Sequence, residues 1–169
     1  MNAKELLNDE NPVVEIDVTG FGKIEVQLFP SVAPITVDNF LNLVDEKFYD
    51  GIIFHRVIKG FMIQGGDPKG LGIGGSSKKI KGEFRANGVK NDLLHTKGVI
   101  SMARAMDPNS ASSQFFIMHE DAPHLDGSYA AFGVVTSGID VVDKIANTKT
   151  DYNDRPLNKV VMESIRRIK

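Results

Sequence analysis

Few residues of this 169-residue chain have the type and spacing to do chemistry. It has no cysteine, which removes thiolate nucleophiles, thiolate metal sites and disulfides. The four histidines, His55, His95, His119 and His124, do not fall at zinc-binding spacing, so no metal is expected. Serines are numerous, but none sits in a nucleophile elbow, and the sequence pairs none with a base and an orienting acid. The acidic residues are spread over turns and helix faces, where solvated charge is the default. Gly70-Leu71-Gly72-Ile73-Gly74-Gly75 matches the dinucleotide fingerprint formally. That fingerprint needs a packed helix immediately after it, and SSKKIKGEF is a poor helix, so these glycines are expected to shape a loop. Each arginine, Arg56 among them, carries a fixed cation with planar donors and a charge independent of physiological pH. On an alternating strand such a residue is by itself usually a solvated charge.

The elements that would position these groups follow from hydrophobic period. Val13 to Val18 and Lys23 to Leu28 alternate apolar with polar residues, with a turn between them, and predict an opening hairpin. Val37, Phe40, Leu41, Val44 and Phe48 fall near helical spacing behind Pro34, which predicts a helix over roughly 34–46. Short β-type runs follow at Ile52–Ile58, Met62–Gln64, Val99–Ala103, Gln114–Met118 and Ala131–Val135. An amphipathic segment covers Ile139–Ala146, and KVVMESIRRI closes the chain as another strand. Many short strands with two isolated helices point to a mainly β chain, a closed or nearly closed antiparallel barrel capped by helices. The segment between Gly65 and Gly98 is long, polar and glycine-rich, a pattern that is usually functional or mobile.

Length fits one domain, 1–169, with residues 1–12 as a short N-terminal extension. A formal net charge of −2 offers no general attraction to nucleic acid. MNAKELLNDE lacks the apolar core of a signal peptide, and no membrane-length apolar run follows, so a cytoplasmic location without membrane attachment is expected.

Four segments, in order, carry a resemblance. Phe54-His55-Arg56-Val57-Ile58, the run GFMIQGGD from Gly60 to Asp67, Ser101-Met102-Ala103 and Ser113-Gln114-Phe115-Phe116-Ile117 resemble the cyclophilin family of prolyl isomerases. Leu125-Asp126-Gly127 and Ala131-Phe132-Gly133-Val134-Val135 continue the match, which runs from about Val13 to the C-terminus.

The resemblance implies a closed eight-stranded antiparallel β-barrel with two capping α-helices, a packed interior and a substrate site on the outer surface. It implies prolyl cis–trans isomerase (rotamase) activity in protein folding on proline-containing polypeptides, without a cofactor, and Arg56 as the catalytic residue. Phe61, Met62, Phe116 and Leu125 match the proline pocket, and Gln64 matches the partner of substrate backbone and of Arg56. Ala103 and the backbone of Arg104 match the edge that pairs with extended substrate, and Gln114 lines the same groove. Gly72, Gly74 and Gly75 match the border of a secondary pocket.

Three positions depart from the familiar eukaryotic pattern. Arg104 replaces an asparagine, a change expected to be harmless if only its backbone is used. His124 replaces a tryptophan that donates to cyclosporin, and Tyr129 replaces a histidine, so weakened cyclosporin binding is expected. These rim changes look like bacterial cytosolic single-domain members. A monomer is expected because a closed barrel leaves no strand edge to pair. A non-catalytic proline-peptide binding module and a holding chaperone remain as alternative readings.

Overall fold

The computed structural model describes residues 1–169. Strands β1 (Val13–Val18) and β2 (Gly22–Leu28) form the expected hairpin, with Ile16 opposite Ile24. Their inward residues are buried while the charged alternates stay at the surface, so the sheet period was readable here. Helix α1 (Pro34–Asp45) starts on a proline, whose missing N–H costs nothing in the first turn. No flanking side chain caps it. Instead the Thr36 N–H and hydroxyl donate to the Glu83 carboxylate at 2.6 and 2.7 Å, so the long loop supplies negative charge to the helix start.

Strands β3 (Phe54–Ile58), β4 (Met62–Gly65), β5 (Val99–Met102), β6 (Phe115–Met118) and β7 (Ala131–Ser137) follow, then helix α2 (Ile139–Ala146) and strand β8 (Met162–Arg167). The strands form one antiparallel sheet in the order β3-β4-β6-β5-β7-β2-β1-β8. Each contributes to a single interior cluster, to which α1 adds Val37, Phe40 and Val44 and α2 adds Val142 and Ile145.

The expected closure of the barrel is not what the ladder shows. Its end strands, β3 and β8, do not pair with each other. Between them lie an isolated bridge, Ile53 with Val161, and hydrogen bonds such as Phe54 N–H to Val160 O at 2.9 Å. The cause is local. Residue 55 is an irregularity in the β3–β4 register, and Val57 N–H is taken by Asp154 O at 2.8 Å, so β3 meets the 151–161 segment without a regular strand pair.

β5 and β6 are buried at every position, so neither shows alternation. One face packs in the interior through Ile100, Met102, Phe115 and Ile117. The other packs in a second, smaller cluster outside the sheet, where Val99, Phe116 and Met118 meet Phe29, Met62, Leu93, Ala122, Leu125 and Ala131. The segment 1–12 belongs to this outer layer. Ala3 is buried in the outer cluster, the N-terminal ammonium donates to Asp92 O at 2.9 Å, and Gln27 Oε1 accepts from Asn8 N–H and Asn11 Nδ2.

Candidate active site

Arg56 reaches the outer face because of the β3 irregularity. Phe54 pairs with Gly65 and Arg56 with Gln64, leaving His55 as the extra residue of a β-bulge. Phe54 and Val57 both point into the interior cluster, and Arg56 stands exposed between them. Its Nη1 donates to Gln64 Oε1 at 3.3 Å. Gln64 Nε2 donates to Gln114 Oε1 at 3.0 Å, and Gln114 Nε2 donates to Gly74 O at 2.8 Å. This chain of donors fixes the orientation of both amides from the guanidinium to the glycine loop.

Beside Arg56 is a pocket of about 130 Å³ lined by Phe61, Met62, Phe116, Leu125, Tyr129, Gln64, Ala103 and Arg104. Its floor and walls belong to the outer cluster: Met62, Phe116 and Leu125 are buried members and Phe61 packs against it. A second space of about 460 Å³ adjoins it, sharing Gln64, Ala103 and Arg104 and bordered by Gly72, Gly74, Gly75 and Gln114. The structure thus brings the sequence-named residues together, with one displaced. His124 is exposed and tilts against Phe61, ring centroids 5.8 Å apart, outside the lining of either space. The Arg104 side chain, expected to be replaceable if only its backbone meets substrate, is engaged by carbonyls and rings.

Sequence reasoning missed several groups. Ile73, Ser76, Lys79, Ala105, Ser110 and Ser112 also line the larger space, brought there by loop packing with no local signal. Asp67 organises the glycine loop: its buried carboxylate accepts the N–H groups of Lys69, Leu71, Gly72 and Gly74 at 2.7–3.1 Å. Burial works against its charge, yet these four donors outweigh it and hold the carboxyl below its ordinary range. A Cβ on Gly74 would strike that carboxylate, and one on Gly75 would strike the Ser112 hydroxyl. The glycines of the apparent dinucleotide fingerprint therefore close around the chain's own anion. Asp67 following Gly65-Gly66 and preceding the glycine run was the signal available.

The histidines are dispersed. His55 is buried, with a Cβ on Gly72 only 3.2 Å from its Nε2, and burial pushes its pKa down. His119 accepts Gly60 N–H at Nδ1 and meets Asp143 through Nε2 at 3.1 Å, tying the β3–β4 turn to α2. His95 pairs with Asp126 through Nδ1 at 3.1 Å and with the Ser101 hydroxyl through Nε2 at 2.8 Å. That is the order of groups in a nucleophilic triad, and the sequence did not reveal it. Ser101 and His95 are buried, however, so no substrate reaches the hydroxyl. Burial pushes the His95 pKa down, and the neutral ring stacks on Phe116, 6.0 Å between centroids, behind the pocket floor.

Residues 13–167 match the sequence model of the family described as cyclophilin type peptidyl-prolyl cis-trans isomerase/CLD. The chain belongs to the cyclophilin family. It is 48% identical over 140 residues to peptidyl-prolyl cis-trans isomerase ppi1 of Schizosaccharomyces pombe, covering 82% of this chain and 88% of that one. It is 44% identical over 148 residues to peptidyl-prolyl cis-trans isomerase CYP18-1 of Arabidopsis thaliana, covering 87% and 91%. A crystal structure of a Cryptosporidium parvum cyclophilin superposes with a TM-score of 0.87 at 33% identity, over 94% of this chain and 98% of that one. The same protein solved in the presence of the dipeptide Ala-Pro gives 0.85 at 34% identity, over 93% and 99%. These cyclophilins are from a fission yeast, a plant and a protozoan, and the bacterial likeness inferred from the rim finds no support among them. None of the helices is long and apolar enough to cross a membrane.

Proposed function

We propose that the chain accelerates rotation about X-Pro peptide bonds, holding the proline ring in the 130 Å³ pocket while Arg56 stabilises the twisted amide. Rotation must break the partial double bond of the C–N link, a barrier of about 18–20 kcal/mol. As the amide twists, its nitrogen turns pyramidal and regains a lone pair while the carbonyl leaves conjugation. A fixed cationic donor is complementary to that state more than to the planar one. No bond is broken and no proton need move, so no nucleophile or cofactor is called for.

The observation that carries this reading is the convergence of the Arg56 guanidinium, anchored on Gln64, with the apolar walls Phe61, Met62, Phe116 and Leu125 around one small space. Those walls hold the ring while the preceding carbonyl swings. Removing one preorganised donor typically costs ~10² to 10³ in rate. A protease-coupled assay on an X-Pro peptide should show turnover by the wild type and a loss of that order in Arg56→Ala. Near-normal turnover in a folded Arg56→Ala variant would overturn the assignment, and binding without turnover by the wild type would mean a recognition module.

That the Cryptosporidium protein was solved in the presence of Ala-Pro supports proline-containing polypeptides as substrates here. Their extended backbone would add to the edge at Ala103 and Arg104. The reading takes residues 1–169 as one functional unit, a cytoplasmic monomer that assists protein folding, its unpaired β3 edge met by the 151–161 segment in place of the expected barrel closure, with neither nucleic acid nor membrane as a partner. Cyclosporin binding should be weak, because the imidazole at 124 lies against Phe61 and replaces an indole donor. Tight inhibition of turnover by cyclosporin would refute that part of the reading.

A further inference from the structure

We propose that Arg104 is a positioning residue for prolyl recognition, acting through the Tyr129 ring and through the substrate edge that Arg104 itself belongs to. The proposal rests on the isomerase reading above. The guanidinium carbon lies 4.8 Å from the centroid of Phe84 and 4.8 Å from that of Tyr129, so the cation stacks against two rings from different segments. Its Nη2 and Nε donate to Ser128 O at 2.7 and 3.3 Å, and its Nη1 donates to Ala105 O and Met106 O at 3.0 and 3.3 Å. No carboxylate is among these partners. One planar group thus joins the segments at 84, 104–106 and 128–129.

The consequences fall on the pocket. Phe84 is 2% exposed and belongs to the interior cluster, so it is a fixed surface against which the guanidinium rests. Tyr129 is half-buried and lines the pocket, its ring edge-on to Phe116 with centroids 5.8 Å apart. Its hydroxyl makes no hydrogen bond within the chain, so packing alone places the ring, and Arg104 supplies one side of that packing. Ala103 and Arg104 also form the border shared by the two adjoining spaces. Releasing the guanidinium frees the Tyr129 wall and the 104–106 backbone together. Arg56 and Gln64 are held by a separate set of hydrogen bonds and stay in place. The loss is therefore one of uniform binding, which raises KM and leaves kcat. Lysine cannot substitute: a point charge has neither the planar face for stacking nor the fork of donors that reaches three carbonyls.

The test is a mutant cycle of Arg104→Met, Tyr129→Leu and the double variant, with Arg104→Lys beside it. Each variant is measured for kcat and KM on an X-Pro tetrapeptide, for Kd of an Ala-Pro peptide by NMR titration, and for thermal stability. Arg104→Met and Arg104→Lys should each raise KM and Kd by about tenfold with kcat within about twofold, the size expected from losing a cation held between ring faces. The double variant should bind worse than Tyr129→Leu but by less than the sum of the two single losses, because part of the arginine's effect passes through that ring and part through the 104–106 edge. Additive losses, full rescue by Arg104→Lys, or a fall in Tm with KM and Kd unchanged would each overturn the proposal. Should Arg104→Met fail to fold, the Arg104→Lys comparison still decides it. Should the wild type bind the peptide without turning it over, the isomerase reading fails while the Kd cycle still judges Arg104.

Discussion

Arg56 faces Gln64 across the β3–β4 ladder because His55 is looped out of register between Phe54 and Arg56. Strand side chains alternate, so in a regular strand Arg56, two positions after Phe54, would share its inward face. The bulge thus delivers a cation to the surface of a strand whose neighbours are core. Gln64 then holds the guanidinium, with its own amide held by Gln114. Gln64→Leu should leave Arg56 charged but unanchored and lower kcat/KM by roughly tenfold, the scale of one hydrogen bond to a charged group. Coupled-assay kinetics on that variant, with circular dichroism as a check on folding, would show it; unchanged kinetics would mean that Arg56 is held by other means.

Phe116 serves the outer cluster and the pocket at once, packed edge-on to Tyr129 and stacked on His95. Phe116→Ala should cost about 3–5 kcal/mol of stability, as large aromatic truncations in cores do. The same change removes the pocket floor, so KM should rise in whatever fraction stays folded. Denaturant titration and steady-state kinetics measure the two effects separately. A normal melt with poor turnover would show that the outer cluster tolerates the cavity.

The Asp67 carboxylate sits in a cradle of four backbone donors. Asp67→Asn keeps the volume but loses the charge and turns an amide N–H toward other N–H groups. We expect a loss of about 2 kcal/mol or more, the cost of leaving buried donors unpaired. Hydrogen exchange at Leu71, Gly72 and Gly74 should speed up in the same variant. Unaltered protection there would show that the loop is fixed by other contacts.

Turnover should be flat across neutral pH, because the guanidinium does not titrate there. Stability should not be flat. Burial lowers the pKa of both His55 and His95, so below their ordinary value of 6.5 the unfolded chain takes up protons that the folded chain refuses. Stability therefore falls as the pH drops through that value. Asp67 adds a second loss further down: its stabilising contribution is complete above the ordinary 3.8 and disappears as the pH falls through its depressed folded value. Urea midpoints measured from pH 8 to pH 3 should decline in that order. A neutral-pH step in turnover that vanishes in His55→Gln would transfer the catalytic role away from Arg56.

The hairpin of β1 and β2 was legible because each strand has one wet face, and α1 because its buried stripe has helical period. Val99–Met102 and Phe115–Met118 could be recognised as apolar runs, but not as strands covered on both sides, since the outer cover comes from distant segments. Pocket membership was legible only through ordered motifs; spacing alone never placed Phe61 beside Leu125. The bulge at His55, the stacking of Arg104 on Phe84, and the docking of Ala3 depend on tertiary partners far along the chain, and no local pattern encodes them. The open seam between β3 and β8 was hidden for the same reason, because a closed and a nearly closed ladder share one alternation.

The small cluster on the outside of the sheet ends where the pocket begins, with Met62, Phe116 and Leu125 packed behind and nothing of the chain in front. On the proposed reading, a proline ring arriving there would take the place of a side chain that the cluster lacks. Recognition is then the last step of packing a core, completed by a residue lent from another polypeptide. It would obey the rules that govern cores: volume and apolar character are what count, so an apolar ring of the right size is admitted whatever chain carries it.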